Sequence, residues 1–123
     1  MGVEMRLVLD LPPKELSPNC RSHWAKKAKA VKYYRMLAFI EARNASRSIE
    51  RGIVRAEAWV TFYVPDNRRR DPTNLAASLK AAWDGIVDAH VLTDDQYLDV
   101  HPPVIIVDRE NPRVEITIEE LAA

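Results

Sequence analysis

The stretch from Ile53 to Val64, IVRAEAWVTFYV, sets Val54, Ala56, Ala58, Val60 and Phe62 alternately against Arg55, Glu57, Trp59, Thr61 and Tyr63. A period of two over this length marks a strand with one face buried. Pro65-Asp66-Asn67 stops it with turn chemistry. Upstream, the chain from about Ser22 to Ala45 is rich in Ala, Lys, Arg, Leu and Met, which favour helix. Its apolar side runs through Val31, Tyr34, Leu37, Ala38 and Ala42 at helical spacing. Further upstream, Met5, Leu7 and Leu9 alternate with polar neighbours in a first strand that Pro12-Pro13 ends. Downstream, Asp71-Pro72 has the form of an N-cap followed by proline at the first helical position. That helix is expected to run to about Val87 and to bury Leu75, Leu79, Trp83 and Ile86. Ala89 to Gln96 reads as a loop. Two late strands follow, about Tyr97–Val107, broken near Pro102-Pro103, and Arg113–Ile118. Asn111-Pro112 between them predicts a hairpin. The order β-α-β-α-β-β argues for an α+β fold with the helices on one side of the sheet.

With 123 residues the chain is expected to form one domain spanning residues 1–123. Apolar content of 47% and charged content of 29% suit a soluble globular protein. No apolar run approaches the roughly 20 residues that span a bilayer. The opening MGVEMRLVLD has neither the cationic start nor the apolar stretch of a secretory leader, and the single Cys20 leaves no internal disulfide. A cytoplasmic setting is expected, with no membrane partner.

The net charge of zero hides a division. Residues 1–70 hold 15 Lys and Arg against 7 Asp and Glu, and residues 71–123 hold 3 against 11. A basic surface attracts phosphates. Acids beside it would oppose that binding unless they hold a divalent cation. The plainer reading is that the two halves pair across the fold.

The densest polar constellation is Arg68 to Asp95, RRRDPTNLAASLKAAWDGIVDAHVLTDD. On a helix Lys80 and Asp84 are neighbours at i, i+4, and the face they share leads back toward Asp71. Asp94 and Asp95 arrive on the following loop. Paired carboxylates that hold Mg²⁺ provide what phosphodiester hydrolysis needs, an activated water and relief of phosphate charge. A nearby lysine stabilises the charge that grows in the transition state, and Arg68, Arg69 and Arg70 suit flanking phosphates. Each residue also has a structural role open to it. Asp71 is a good helix cap, Lys80–Asp84 an exposed helix pair, Asp94-Asp95 turn residues, and the arginines a solvated loop. Trp24, Trp59 and Trp83 are read as packing residues, with Trp24 beside lysines also suited to stack on a base.

Taken together, Arg-Arg-Asp-x-x-Asn, a helix carrying Lys and Asp, and Asp-Asp after a short loop resemble the RusA family of Holliday junction resolvases. Leu16-Ser17-Pro18-Asn19, then Arg21-Ser22-His23-Trp24 and a basic helix, resemble that family's N-terminal region, so the likeness spans roughly Arg6 to Val107. It implies a mixed sheet, a homodimer, and Mg²⁺-dependent (or Mn²⁺-dependent) nicking of branched DNA in a bacterial or phage-infected cytoplasm, without a small-molecule cofactor. It implies that Asp71 and Asp95 bind metal and act catalytically, that Asp84 and Asp94 are further carboxylates, and that Lys80 is the catalytic lysine. Asn19, Arg21, His23, Lys26, Lys27, Arg69, Arg70 and Asn74 would contact DNA. Two positions depart from the family pattern. Thr73 stands where a second aspartate is usual and offers only a neutral oxygen. The interval from Asn74 to Lys80 is about three residues longer than in the founding type, close to one helical turn. The alternative is a branched-DNA-binding protein of the same fold that cleaves weakly or not at all, and a third reading is an interaction module without DNA affinity.

Overall fold

The computed structural model describes residues 3–47, 52–93 and 98–121. Among the described residues, five strands and three α-helices follow one another as β1 (Glu4–Leu9), α1 (Trp24–Ala45), β2 (Ala56–Val64), α2 (Pro72–Ala77), α3 (Lys80–Asp88), β3 (Leu98–Val100), β4 (Val104–Val107) and β5 (Arg113–Glu120). A 3-10 turn, Lys14–Leu16, lies between β1 and α1.

The fold is α+β, with the strands in one mixed sheet ordered β1-β5-β2 and then β3 and β4 end to end along the far edge of β2. β5 is antiparallel to both β1 and β2, while β3 and β4 run parallel to β2. Parallel neighbours need a crossover, and α2 with α3 supplies it between β2 and β3. Pro102-Pro103 splits the edge strand because proline has no N–H to give the ladder. Pairing survives on either side of the break, where the His101 N–H donates to the Ala58 carbonyl at 2.9 Å and Val104 aligns with Thr61.

The late strands are therefore not the expected hairpin. β4 and β5 lie on opposite sides of β2. Val114, Ile116 and Ile118 of β5 are fully buried, and β5 uses both edges for pairing, so it sits inside the sheet with β2 between it and β4.

One sheet face carries the core. Met5, Leu7 and Leu9 of β1, Ala56 to Val64 at alternate positions of β2, and the three apolar residues of β5 pack with Tyr34, Ala38 and Ala42 of α1 and with Ala82 and Ile86 of α3. α1 and α3 approach closely at Gly85. A methyl group there would overlap the Arg35 carbonyl and press on Ala38 and the Phe39 nitrogen, so glycine is required by contact rather than by backbone angle. Arg35 and Asp88 clip the same two helices together through two hydrogen bonds, at 2.6 and 2.9 Å. The Tyr34 hydroxyl, in the core, donates to the Asp10 carbonyl at 2.9 Å.

The helix expected from Asp71 to Val87 is two helices. Between them Ser78 is buried, and its hydroxyl donates to the Leu75 carbonyl at 2.6 Å. Such back-bonding diverts a carbonyl from the helix ladder and bends the chain. Leu79 then bonds to Ala76, three residues back, before α3 begins. Leu79 and Ile86 are buried as expected, whereas Leu75 and Trp83 are partly covered. Among the described residues no helix is long and apolar enough to cross a membrane.

Candidate nucleic-acid interface

Asp71 caps α2. Its Oδ1 accepts the Thr73 N–H at 2.8 Å, and Pro72 occupies the first helical position. The cap fixes where the carboxylate sits, at the rim of a cleft of about 390 Å³. Asn74 and Ser78 of the same helical segment line it, together with Arg68 and Arg70 from the preceding loop. Lys14 and Ser17, from around the 3-10 turn far back in the chain, also line it. Those two residues were not foreseen. Val64 and Pro65, at the end of β2, line the same cleft, so tertiary packing brings the two residues there and no local pattern encodes it.

The loop arginines divide by role. Arg70 has a largely covered side chain, 12% exposed, and its guanidinium is held by the Asp66 carboxylate and carbonyl at 2.9 Å each. It therefore clamps the loop from Asp66 onward. Asp66 is held below the usual carboxylate range, first by the Arg68 backbone N–H and then by Arg70. With Arg70 so engaged, Arg69 and Arg68 are the exposed cations of the loop, and Arg68 also lies 3.8 Å from Asp66.

Lys80 and Asp84 share a helix face as expected, with Nζ to Oδ1 at 2.7 Å. They do not line the Asp71 cleft. The bend at Ser78 separates their helix from the one that Asp71 caps. Asp94 and Asp95 lie outside the described residues. Among the described residues no three Asp, Glu, His or Cys side chains come close enough together to hold a metal ion. Among the described residues lining the cleft, Asp71 is the one carboxylate.

The N-terminal basic segment is a second surface. Asn19 lies in a turn begun by Ser17, whose hydroxyl accepts the Asn19 N–H at 3.4 Å. His23 caps α1 by accepting the Ala25 N–H at its Nδ1, 3.2 Å away. Arg21, Lys26 and Lys27 are exposed. Trp24 is not a packing residue, since it is 76% exposed. Trp59 lies on the sheet face away from the helices, stacked at 4.8 Å on His101.

Fold and surface together define a two-layer α+β protein with a basic helical arm and a polar cleft at the cap of its second helix. No family model matches the chain. It is 38% identical over 117 residues to an uncharacterized protein of Xylella fastidiosa, an alignment covering 91% of this chain and 74% of the relative. The chain belongs to the same family as that protein.

Proposed function

We propose that the chain is a structure-selective endodeoxyribonuclease of the RusA-like type, acting on branched DNA as a homodimer with Mg²⁺ or Mn²⁺. The observation that carries this reading is the cleft in which Asp71, Asn74, Arg68 and Lys14 converge beside the exposed Arg69. A carboxylate among cations, with the Asn74 amide beside it, suits a phosphodiester whose charge is held by arginine and lysine. The basic α1 extends the phosphate-binding surface.

On this reading Asp95, with Asp94, completes the carboxylate set that Asp71 begins, and Lys80 acts on the phosphate once Asp84 yields it. The two-fold symmetry of a four-way junction calls for two matched sites, which a symmetric dimer supplies. The helix-free sheet face, with Val8, Trp59, Val104 and Ile106 exposed, is the apolar surface a second copy would cover.

The second reading, a protein that binds junctions without cutting them, is favoured by a specific pair of observations. Thr73 replaces an expected carboxylate, and Asp84 is already held by Lys80. Binding of a labelled four-way junction and of a matched linear duplex at about 0.15 M salt, where exposed charge is partly screened, tests what the two readings share. Selective retention of the junction is the expected outcome. Absence of binding to either DNA would remove both readings and leave an interaction module.

A further inference from the structure

The first six residues of α1, Trp24 to Lys29, are all exposed. Cover begins at Ala30 and Val31, and the first fully buried side chain is Tyr34. The start of this helix thus stands clear of the core. From Arg21 to Ile40 the sequence holds six cations, Arg21, Lys26, Lys27, Lys29, Lys32 and Arg35, and no acid. Arg35 is committed to Asp88. The others make a one-sign surface that suits a polyanion.

At the tip of that surface is Trp24. An indole normally brings 150–250 Å² of surface into a core or interface, yet this one is 76% exposed and adds little to the fold. It is not the helix cap, because His23 fills that role. The two rings lie 5.5 Å apart at 34°. The cap bond anchors the imidazole, and the imidazole supports the indole from one side.

We infer that Trp24 stacks on an unpaired or unstacked base, so that the arm recognises the branch point of a nucleic acid rather than its paired arms. This rests on the reading of the chain as a DNA-binding protein, though not on cleavage. Lysines grip the backbone of any DNA, whereas an aromatic face needs an open base, and a fully stacked duplex offers none along its length. Stacking tolerates any base because each has a π face, and extrusion costs least where pairing is already broken.

The test uses a four-way junction with 2-aminopurine at the branch point and a linear duplex of equal length, titrated with the wild type, Trp24→Ala and Trp24→Phe, without divalent metal. The wild type is expected to change the 2-aminopurine fluorescence on binding. Trp24→Ala should lose that signal and about tenfold in junction affinity, as the loss of one stacked base predicts, while its duplex affinity stays within twofold. Trp24→Phe should restore most of both. Trp24→Ala indistinguishable from wild type on both DNAs would overturn the inference and leave the cleft-based function standing. An equal loss on junction and duplex would also overturn it, since Trp24 would then serve general binding. Wild type that binds neither DNA would overturn both proposals. The full Trp24 effect in a protein that never cuts would remove the nuclease reading alone.

Discussion

The Lys80 ammonium donates to Asp84 Oδ1 at 2.7 Å, one turn along α3. Lys80 is 69% exposed and Asp84 29% exposed, so solvent screens the pair and its contribution to stability is small. Lysine preceding the acid is also the weaker order for a helix pair. Asp84→Asn should therefore change the free energy of unfolding by less than about 0.5 kcal/mol in urea titrations. If Lys80 serves the phosphate, Lys80→Met should lower junction cleavage by at least about a hundredfold while leaving the urea midpoint nearly unchanged.

Gly85 offers a sharper test of the fold. Its lack of a side chain lets α3 lie against the Arg35 carbonyl, a backbone atom that cannot swing aside. Overpacking a tight contact costs about 1–3 kcal/mol, and the cost for Gly85→Ala should lie at the upper end or beyond. Helix propensity alone would give the opposite sign by up to about 1 kcal/mol. Equilibrium unfolding of Gly85→Ala decides between them.

Acid should weaken the fold through three carboxylates. Arg35 holds Asp88 below the usual range, the Arg68 N–H and Arg70 do the same for Asp66, and Arg113 with the Asn111 N–H for Asp108. A carboxyl with a depressed folded pKa stabilises the native state above its unfolded value, near pH 4. That stabilisation is lost as pH falls through the folded values. The urea midpoint should therefore be flat from about pH 7 to 5 and decline below about 4. Asp88→Asn should lower it at neutral pH and make the acid decline shallower.

The exposed loop arginines should act without regard to DNA shape. Arg69→Ala should weaken binding to junction and duplex alike and reduce the salt dependence by about one counterion. Arg70→Ala should instead lower stability, because Arg70 holds Asp66 and the loop backbone.

The elements that could be read from sequence are those with a strong local cause. β2 declares itself through alternation, and Asp71-Pro72 through cap chemistry, as the N–H bond to Asp71 shows. Tyr34, Ala38 and Ala42 fall on one helix face and are buried. What escaped was long-range or cryptic. The sequence of β4 and β5 looks like a hairpin because a turn joins them, and nothing local reveals that β2 lies between. The bend at Ser78 has no glycine or proline to announce it and depends on one hydroxyl bonding back to Leu75. Lys14 and Ser17 reach the cleft only through tertiary packing. Trp24 illustrates the reverse case, since its sequence reads as a packing residue or, beside lysines, as a ring suited to stacking, and the fold shows the ring in solvent.

The most direct measurement is cleavage of an end-labelled synthetic four-way junction by the purified protein, with Mg²⁺ or chelator, beside Asp71→Asn, Asp95→Asn and a linear duplex of the same sequence. The proposed function predicts paired, metal-dependent nicks in the junction, an intact duplex, and loss of nicking in both variants while they still bind the junction. Tight junction binding with no nicks under Mg²⁺ or Mn²⁺ would contradict it, and so would nicking that persists in Asp71→Asn.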